Sequence, residues 1–107
     1  MVDVSTMKFG LTIRQYSLIE DAIISFNDIE KVLIFGSRAT HKFKPSSDID
    51  LAVIGKNLSR DIINRLASQL DDLPLPFMFD ILHYDQISNK VLKSQIDLEG
   101  KLFFEKK

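Results

Sequence analysis

The segment Ser46-Ser47-Asp48-Ile49-Asp50-Leu51-Ala52-Val53-Ile54 constrains the fold of this chain more than any other. It sets two carboxylates at the mouth of an apolar strand, so the same short stretch must supply both a buried body and a charged end. Side chains alternate along a strand, which puts Asp48 and Asp50 on one face and Ile49 and Leu51 on the other. Two such charges roughly 6 Å apart repel by about 3 kcal/mol at an effective dielectric near ~20. A divalent cation reverses the sign of that cost, and magnesium takes one or two carboxylates together with substrate phosphates. The pattern suits a metal–nucleotide; two aspartates in a solvated loop are the plainer alternative.

The 107 residues are expected to form one domain, 1–107, around one core, with residues 1–7 loosely held. A net charge of −1 argues against a broad basic surface for duplex nucleic acid, while a few well-placed donors would still suffice for a phosphate. The chain has no cysteine, which excludes disulfides and thiolate metal sites. No apolar run approaches the length of a membrane span, and the N-terminus lacks the order of a signal peptide. Cytoplasm is the expected compartment, with no membrane partner.

Apolar residues Tyr16, Ile19, Ile23 and Phe26 recur at helical spacing and predict an amphipathic helix from Thr12 to Asn27, with Thr12 as N-cap. Lys31–Phe35 reads as a buried strand broken at Gly36, with a short helix after Ser37 and a polar loop through Lys42, Lys44 and Pro45. A second strand covers Asp48–Ile54. Ser59 caps a second helix, whose Ile62, Ile63, Leu66 and Leu70 form an apolar face before Pro74. Phe77–Leu82 reads as a third strand, Ser88–Leu98 as a last helix stopped by Gly100, and Lys101–Glu105 as an edge strand. Strands alternating with helices indicate an α/β (α+β) sheet with helices against it. The strand order is not readable from these signals.

Gly36-Ser37 after a buried strand presents backbone N–H groups and a hydroxyl to an approaching phosphate, and Arg38 could reach the same charge. A turn with a capping serine is the ordinary alternative, and the P-loop pattern is missing. Asp80 lies among Phe79, Ile81 and Leu82, where an unpaired carboxylate costs several kcal/mol or is forced neutral. If its strand lies beside that of Asp48, three carboxylates converge; pairing with an arginine is the alternative.

Taken together, Phe35-Gly36-Ser37-Arg38-Ala39, then Ser47-Asp48-Ile49-Asp50-Leu51-Ala52-Val53, then Phe79-Asp80-Ile81, resemble the nucleotidyltransferase superfamily of DNA polymerase β. Its signature is Gly-Ser, about ten residues, Asp-x-Asp and a later strand aspartate. Arg38-Ala39 and Pro45 fit the small prokaryotic branch of minimal nucleotidyltransferases (MNT), and the resemblance covers nearly the whole chain. One position departs: many members of that branch carry glycine where His41 stands. His41 could narrow the loop, add a contact or signal weakened catalysis, though a loop histidine is most often simply solvated.

The resemblance implies a nucleotidyltransferase fold, a small mixed sheet with helices packed against it. It implies transfer of AMP from ATP to an acceptor hydroxyl with release of pyrophosphate. Asp48, Asp50 and Asp80 would be catalytic and would hold magnesium, two ions in all, with Asp80 as general base or ligand beside the acceptor. Gly36, Ser37 and Arg38 would bind the nucleotide. A chain of this length leaves no room for an acceptor domain, so the acceptor surface is expected from a second protein or from self-association. Minimal nucleotidyltransferases pair with separately encoded helical HEPN proteins, often ribonuclease toxins, and add AMP to a toxin tyrosine as antitoxins. The rival expectations are an enzyme for a small-molecule acceptor and a binding module that neutralises its partner by contact alone.

Overall fold

Local signals set most of the element boundaries. The computed structural model describes residues 8–107, and the expected looseness of residues 1–7 lies outside them. Helix α1 (Ile13–Ile24) opens with a capping box: Thr12 Oγ1 accepts from the Gln15 N–H at 3.1 Å, and Gln15 Oε1 accepts from the Thr12 N–H at 2.9 Å. It ends three residues earlier than its periodicity suggests. The Ser25 hydroxyl donates to the Ala22 carbonyl at 2.6 Å, and Phe26 then turns against the core. Helix α2 (Arg60–Asp71) is capped by Ser59, whose Oγ accepts from the Ile62 N–H. Helix α3 (Lys90–Glu99) starts after Asn89, whose Oδ1 accepts from the N–H groups of Val91 and Leu92. Asn89 therefore takes the capping role, and α3 begins two residues later than expected.

Strands β1 (Lys31–Phe35), β2 (Ile49–Ile54), β3 (Phe79–His83) and β4 (Lys101–Glu105) form one mixed sheet in the order β3-β2-β1-β4. β1 pairs antiparallel with both β2 and β4, while β3 pairs parallel with β2. A parallel neighbour requires a crossover, and α2 provides it. β3 starts two residues later than the sequence suggested, because Phe77 packs on a buried arginine described below.

One face of the sheet is the core. Val32 and Ile34 of β1, Ile49, Leu51 and Val53 of β2, and Phe103 of β4 meet Ile19 and Ile23 of α1 and Ile63, Leu66 and Leu70 of α2. Each such side chain, fully buried, contributes about 1.5–3 kcal/mol. Tyr16 stacks on Phe103 at 4.3 Å and donates its hydroxyl hydrogen to the Phe103 carbonyl, tying α1 to β4. Burial raises the Tyr16 pKa. The opposite face carries Leu33, Phe35, Asp50, Ala52 and Asp80, and α3 covers part of it through Leu92 and buried Ile96. Gly100 stops α3 at φ −64°, outside the left-handed region; a side chain there would strike the Ile96 carbonyl oxygen.

Candidate active site

Alternation along β2 puts Asp50 on the α3 face, and the sheet register gives it two neighbours. Phe35, the last residue of β1, is its antiparallel partner, and Asp80 is its parallel partner on β3. Neighbouring strands lie about 4.8 Å apart, so the Asp50 and Asp80 side chains leave the sheet side by side. Asp48 lies just outside β2, two positions before Asp50. Asp50 is half-buried, whereas Asp48 and Asp80 are exposed. Burial first, then the charges of Asp80 and Asp48, raise the Asp50 pKa above its ordinary value.

The chain turns at Gly36 with φ +74°, a conformation that glycine adopts without strain. Any side chain at this position would collide with the Asp50 carboxylate. Gly36 is therefore required twice, by its backbone angle and by the carboxylate seated against it. A single turn of 3-10 helix follows (Gly36–Arg38), the short helix expected after Ser37. Its carbonyls are occupied from below: Ala39 and Thr40 donate N–H groups to Gly36 O, and Lys42 N–H donates to Ser37 O. The Thr40 hydroxyl donates to the same two carbonyls at 3.3 and 3.4 Å, latching the turn.

Arg38 is turned away from this turn's open side. It is completely buried, with Nη1 donating to Phe9 O at 2.8 Å, Nη2 to Ser47 O at 2.9 Å and Pro45 O at 3.3 Å, and Nε to Ser47 O at 3.2 Å. Its guanidinium lies between the rings of Phe43 and Phe77, 5.2 and 4.8 Å from their centroids. Burial lowers its pKa, but the carbonyl oxygens and aromatic faces compensate the charge. The reading of Arg38 as a nucleotide-binding residue is thus corrected. Its donors are committed to backbone oxygens, and it braces the loop that leads from Gly36 to Asp48.

That loop also resolves the position of His41, which stands at φ +61° with its side chain exposed. The preference for glycine here follows from the left-handed backbone. Sequence reasoning passed over Thr40, Phe43 and Phe77; the one available signal was an arginine set amid aromatics and prolines, which needs partners if buried.

The donor set suits magnesium: hard carboxylate oxygens on Asp48, Asp50 and Asp80, with the Asp50 carboxylate seated against Gly36. Among the described residues, however, no three acidic or imidazole side chains are gathered closely enough to form a ready ligand set. The register aligns Asp50 with Asp80, and Asp48 is close enough for its charge to act on Asp50 as well.

Residues 18–107 match the family described as Polymerase beta, Nucleotidyltransferase, and the chain belongs to that family. No curated protein matches the sequence. Among solved structures, the chain is similar to one chain of a toxin–antitoxin crystallised with AMP-PNP, at 23% identity and a TM-score of 0.70, covering 86% of this chain and 74% of that one. A chain in the toxin–antitoxin MntA-HepT is 22% identical at a TM-score of 0.62, covering 85% and 70%. A chain in the tri-AMPylated Shewanella oneidensis HEPN toxin in complex with MNT antitoxin is 25% identical at a TM-score of 0.59, covering 85% and 73%. Among the described residues, no helix is long and apolar enough to cross a membrane.

Proposed function

We propose that this chain transfers AMP from ATP to a tyrosine hydroxyl of a HEPN toxin and thereby acts as its antitoxin. The observation that carries the reading is the pairing of Asp50 with Asp80 beside the Gly36 turn, in a chain of the nucleotidyltransferase family. Similarity to a chain in a complex whose toxin is tri-AMPylated supports the choice of AMP and of a HEPN acceptor.

In this reading Gly36 and Ser37 hold the β- and γ-phosphates, with the Ser37 hydroxyl as donor and the Thr40 latch keeping the turn in shape. Holding the triphosphate fixes the α-phosphorus for in-line attack, from which much of the acceleration derives. Magnesium, held by Asp48 and Asp50 with Asp80 completing the set, would lower the acceptor's pKa and neutralise the pyrophosphate leaving group. The acceptor oxygen bonds to the α-phosphorus as the bond to the β-phosphate oxygen breaks, and pyrophosphate leaves. Asp80, exposed on the outer strand, takes the acceptor proton. Arg38 keeps Ser47, and so the entry to Asp48, in place.

The test is intact-mass spectrometry of a cognate HEPN protein after incubation with this chain, ATP and magnesium. A gain of one or more AMP units, lost with Asp48→Ala, is the expected result. A second reading is neutralisation by contact alone. It is favoured by Val91 and Leu98, which share one face of α3 and are 70% and 83% exposed, and by half-exposed Leu102. A stable complex with no mass change, unaffected by Asp48→Ala, would move the assignment there. AMP appearing on a metabolite instead of the protein would point to a small-molecule acceptor.

A further inference from the structure

Beside the Gly36 turn lies a groove of about 290 Å³, lined by Phe35, Gly36 and Thr40 on one side and by Leu92, Gln95 and Glu99 of α3 on the other. Residues 92, 95 and 99 recur at helical spacing and so face the groove together. It lies on the β1 side of the sheet, with β2 between β1 and the strand of Asp80. A ligand whose phosphates rest on Gly36 therefore has this groove within reach, away from the acceptor side.

The walls are wrong for a phosphate and right for a ring. None of the lining residues is a lysine or arginine, and the Glu99 carboxylate repels an anion. The Thr40 hydroxyl is already committed to the carbonyls of Gly36 and Ser37. Phe35 and Leu92 offer apolar surface, while Gln95 and Glu99 offer hydrogen-bonding groups. Apolar walls with a few convergent polar groups are the usual make-up of a small-molecule pocket, and this volume lies just below the ~300–1,000 Å³ of drug-sized ones. It suits a nucleobase, not a whole nucleotide.

We infer that the groove seats the base of the donor nucleotide and that Gln95 and Glu99 select a base bearing an exocyclic amino group. The inference rests on the nucleotidyl-transfer reading of the neighbouring site. A glutamine amide presents an acceptor and a donor together, the complement of adenine's N6 amino group and N7. A carboxylate only accepts, so Glu99 rewards an amino group and is set against a carbonyl. Adenine meets both demands; uracil places a carbonyl oxygen where the amino group would be. ATP is thus the donor that the groove favours over UTP.

The test is calorimetric titration of the whole chain with Mg·ATP, Mg·UTP and inorganic tripolyphosphate, in the unmodified protein and in Gln95→Leu and Glu99→Leu. Both side chains are exposed, so their replacement leaves the core intact, and thermal melting verifies this. The unmodified chain is expected to prefer ATP to UTP. Each variant should remove about ten- to hundredfold of that preference, by weakening ATP while leaving tripolyphosphate unchanged. An ATP preference that survives both substitutions, or none in the unmodified chain, overturns the groove as the base site. Failure of the underlying reading looks different: neither nucleotide nor tripolyphosphate then binds at all, and the groove assignment falls with it.

Discussion

The two faces of the sheet are made from the same strands and are built on opposite terms. The face under α1 and α2 is aliphatic and closed, with Val32, Ile34, Ile49, Leu51 and Val53 all fully buried. The face under α3 is only partly covered and carries Asp50 and Asp80 side by side, with buried Ala52 two residues further along β2. Strand β2 serves both at once, because each residue step reverses the face. Stability and chemistry are therefore separable along a six-residue strand, and substitutions on the two faces should fail in different ways.

The largest effect is expected from Asp50→Asn, which should abolish AMP transfer in the mass assay while leaving the fold intact. Metal-free, the variant should resist urea better than the parent at neutral pH. The fold raises the Asp50 pKa, so this group's contribution is fully present below the unfolded-state pKa and is lost as pH rises through the folded value. The advantage of the asparagine should accordingly vanish below the ordinary carboxylate range. Equal urea midpoints at every pH would remove the strain assigned to the open face.

On the closed face, Leu66→Ala should cost about 2–5 kcal/mol in urea unfolding, with transfer unaffected wherever the protein remains folded. Arg38→Ala tests the link between the faces. It strands three carbonyl groups, those of Phe9, Pro45 and Ser47, and should cost about 3 kcal/mol or more at ~1 kcal/mol or more for each. Arg38→Lys should not restore this, since one ammonium cannot reproduce the planar fork between two rings. Full nucleotide affinity in whatever Arg38→Ala protein remains folded would confirm that this residue does not touch phosphate. Ser37→Ala should weaken triphosphate binding by about 1–3 kcal/mol, measured by calorimetry; no change would return Ser37 to a purely turn-forming role. The smallest effect belongs to His41→Gly. Relief of the left-handed strain is offset by backbone entropy, leaving a gain under ~1 kcal/mol in thermal unfolding and no loss of transfer.

What could be read in advance follows the same division. Capping at Thr12 and Ser59, the limits of β1 and β4, and the placing of Asp50 opposite Leu51 depend on residues within a turn or two of each other, so the sequence displays them directly. The end of α1 was missed because it depends on Ser25 bonding back to Ala22 and on Phe26 finding the core. The strand order and the role of Arg38 were not legible, since each is decided by distant partners. Arg38 meets Phe9 across 29 positions and packs on Phe77 at the entrance to β3. A motif that places an arginine next to a phosphate-binding turn suggests a ligand contact; only the assembled tertiary structure turns that side chain inward. The left-handed backbone at His41 had one sign, the glycine that relatives of the resembled branch carry there, since histidine itself gives none.

The pairing of β3 on one side only has a consequence for how the site is kept. Within the described sheet, β3 is an outer strand, bonded to β2 and to nothing beyond it. Its release would carry Asp80 away from Asp50 while β1, β2 and β4 remained joined. The aligned pair of carboxylates thus has its own opening free energy, below that of the whole protein. A ligand that bridges the two strands acts as a clasp, and its binding is registered first as slowed amide exchange along β3. What keeps Asp80 beside Asp50 is the same pairing that keeps β3 on the sheet.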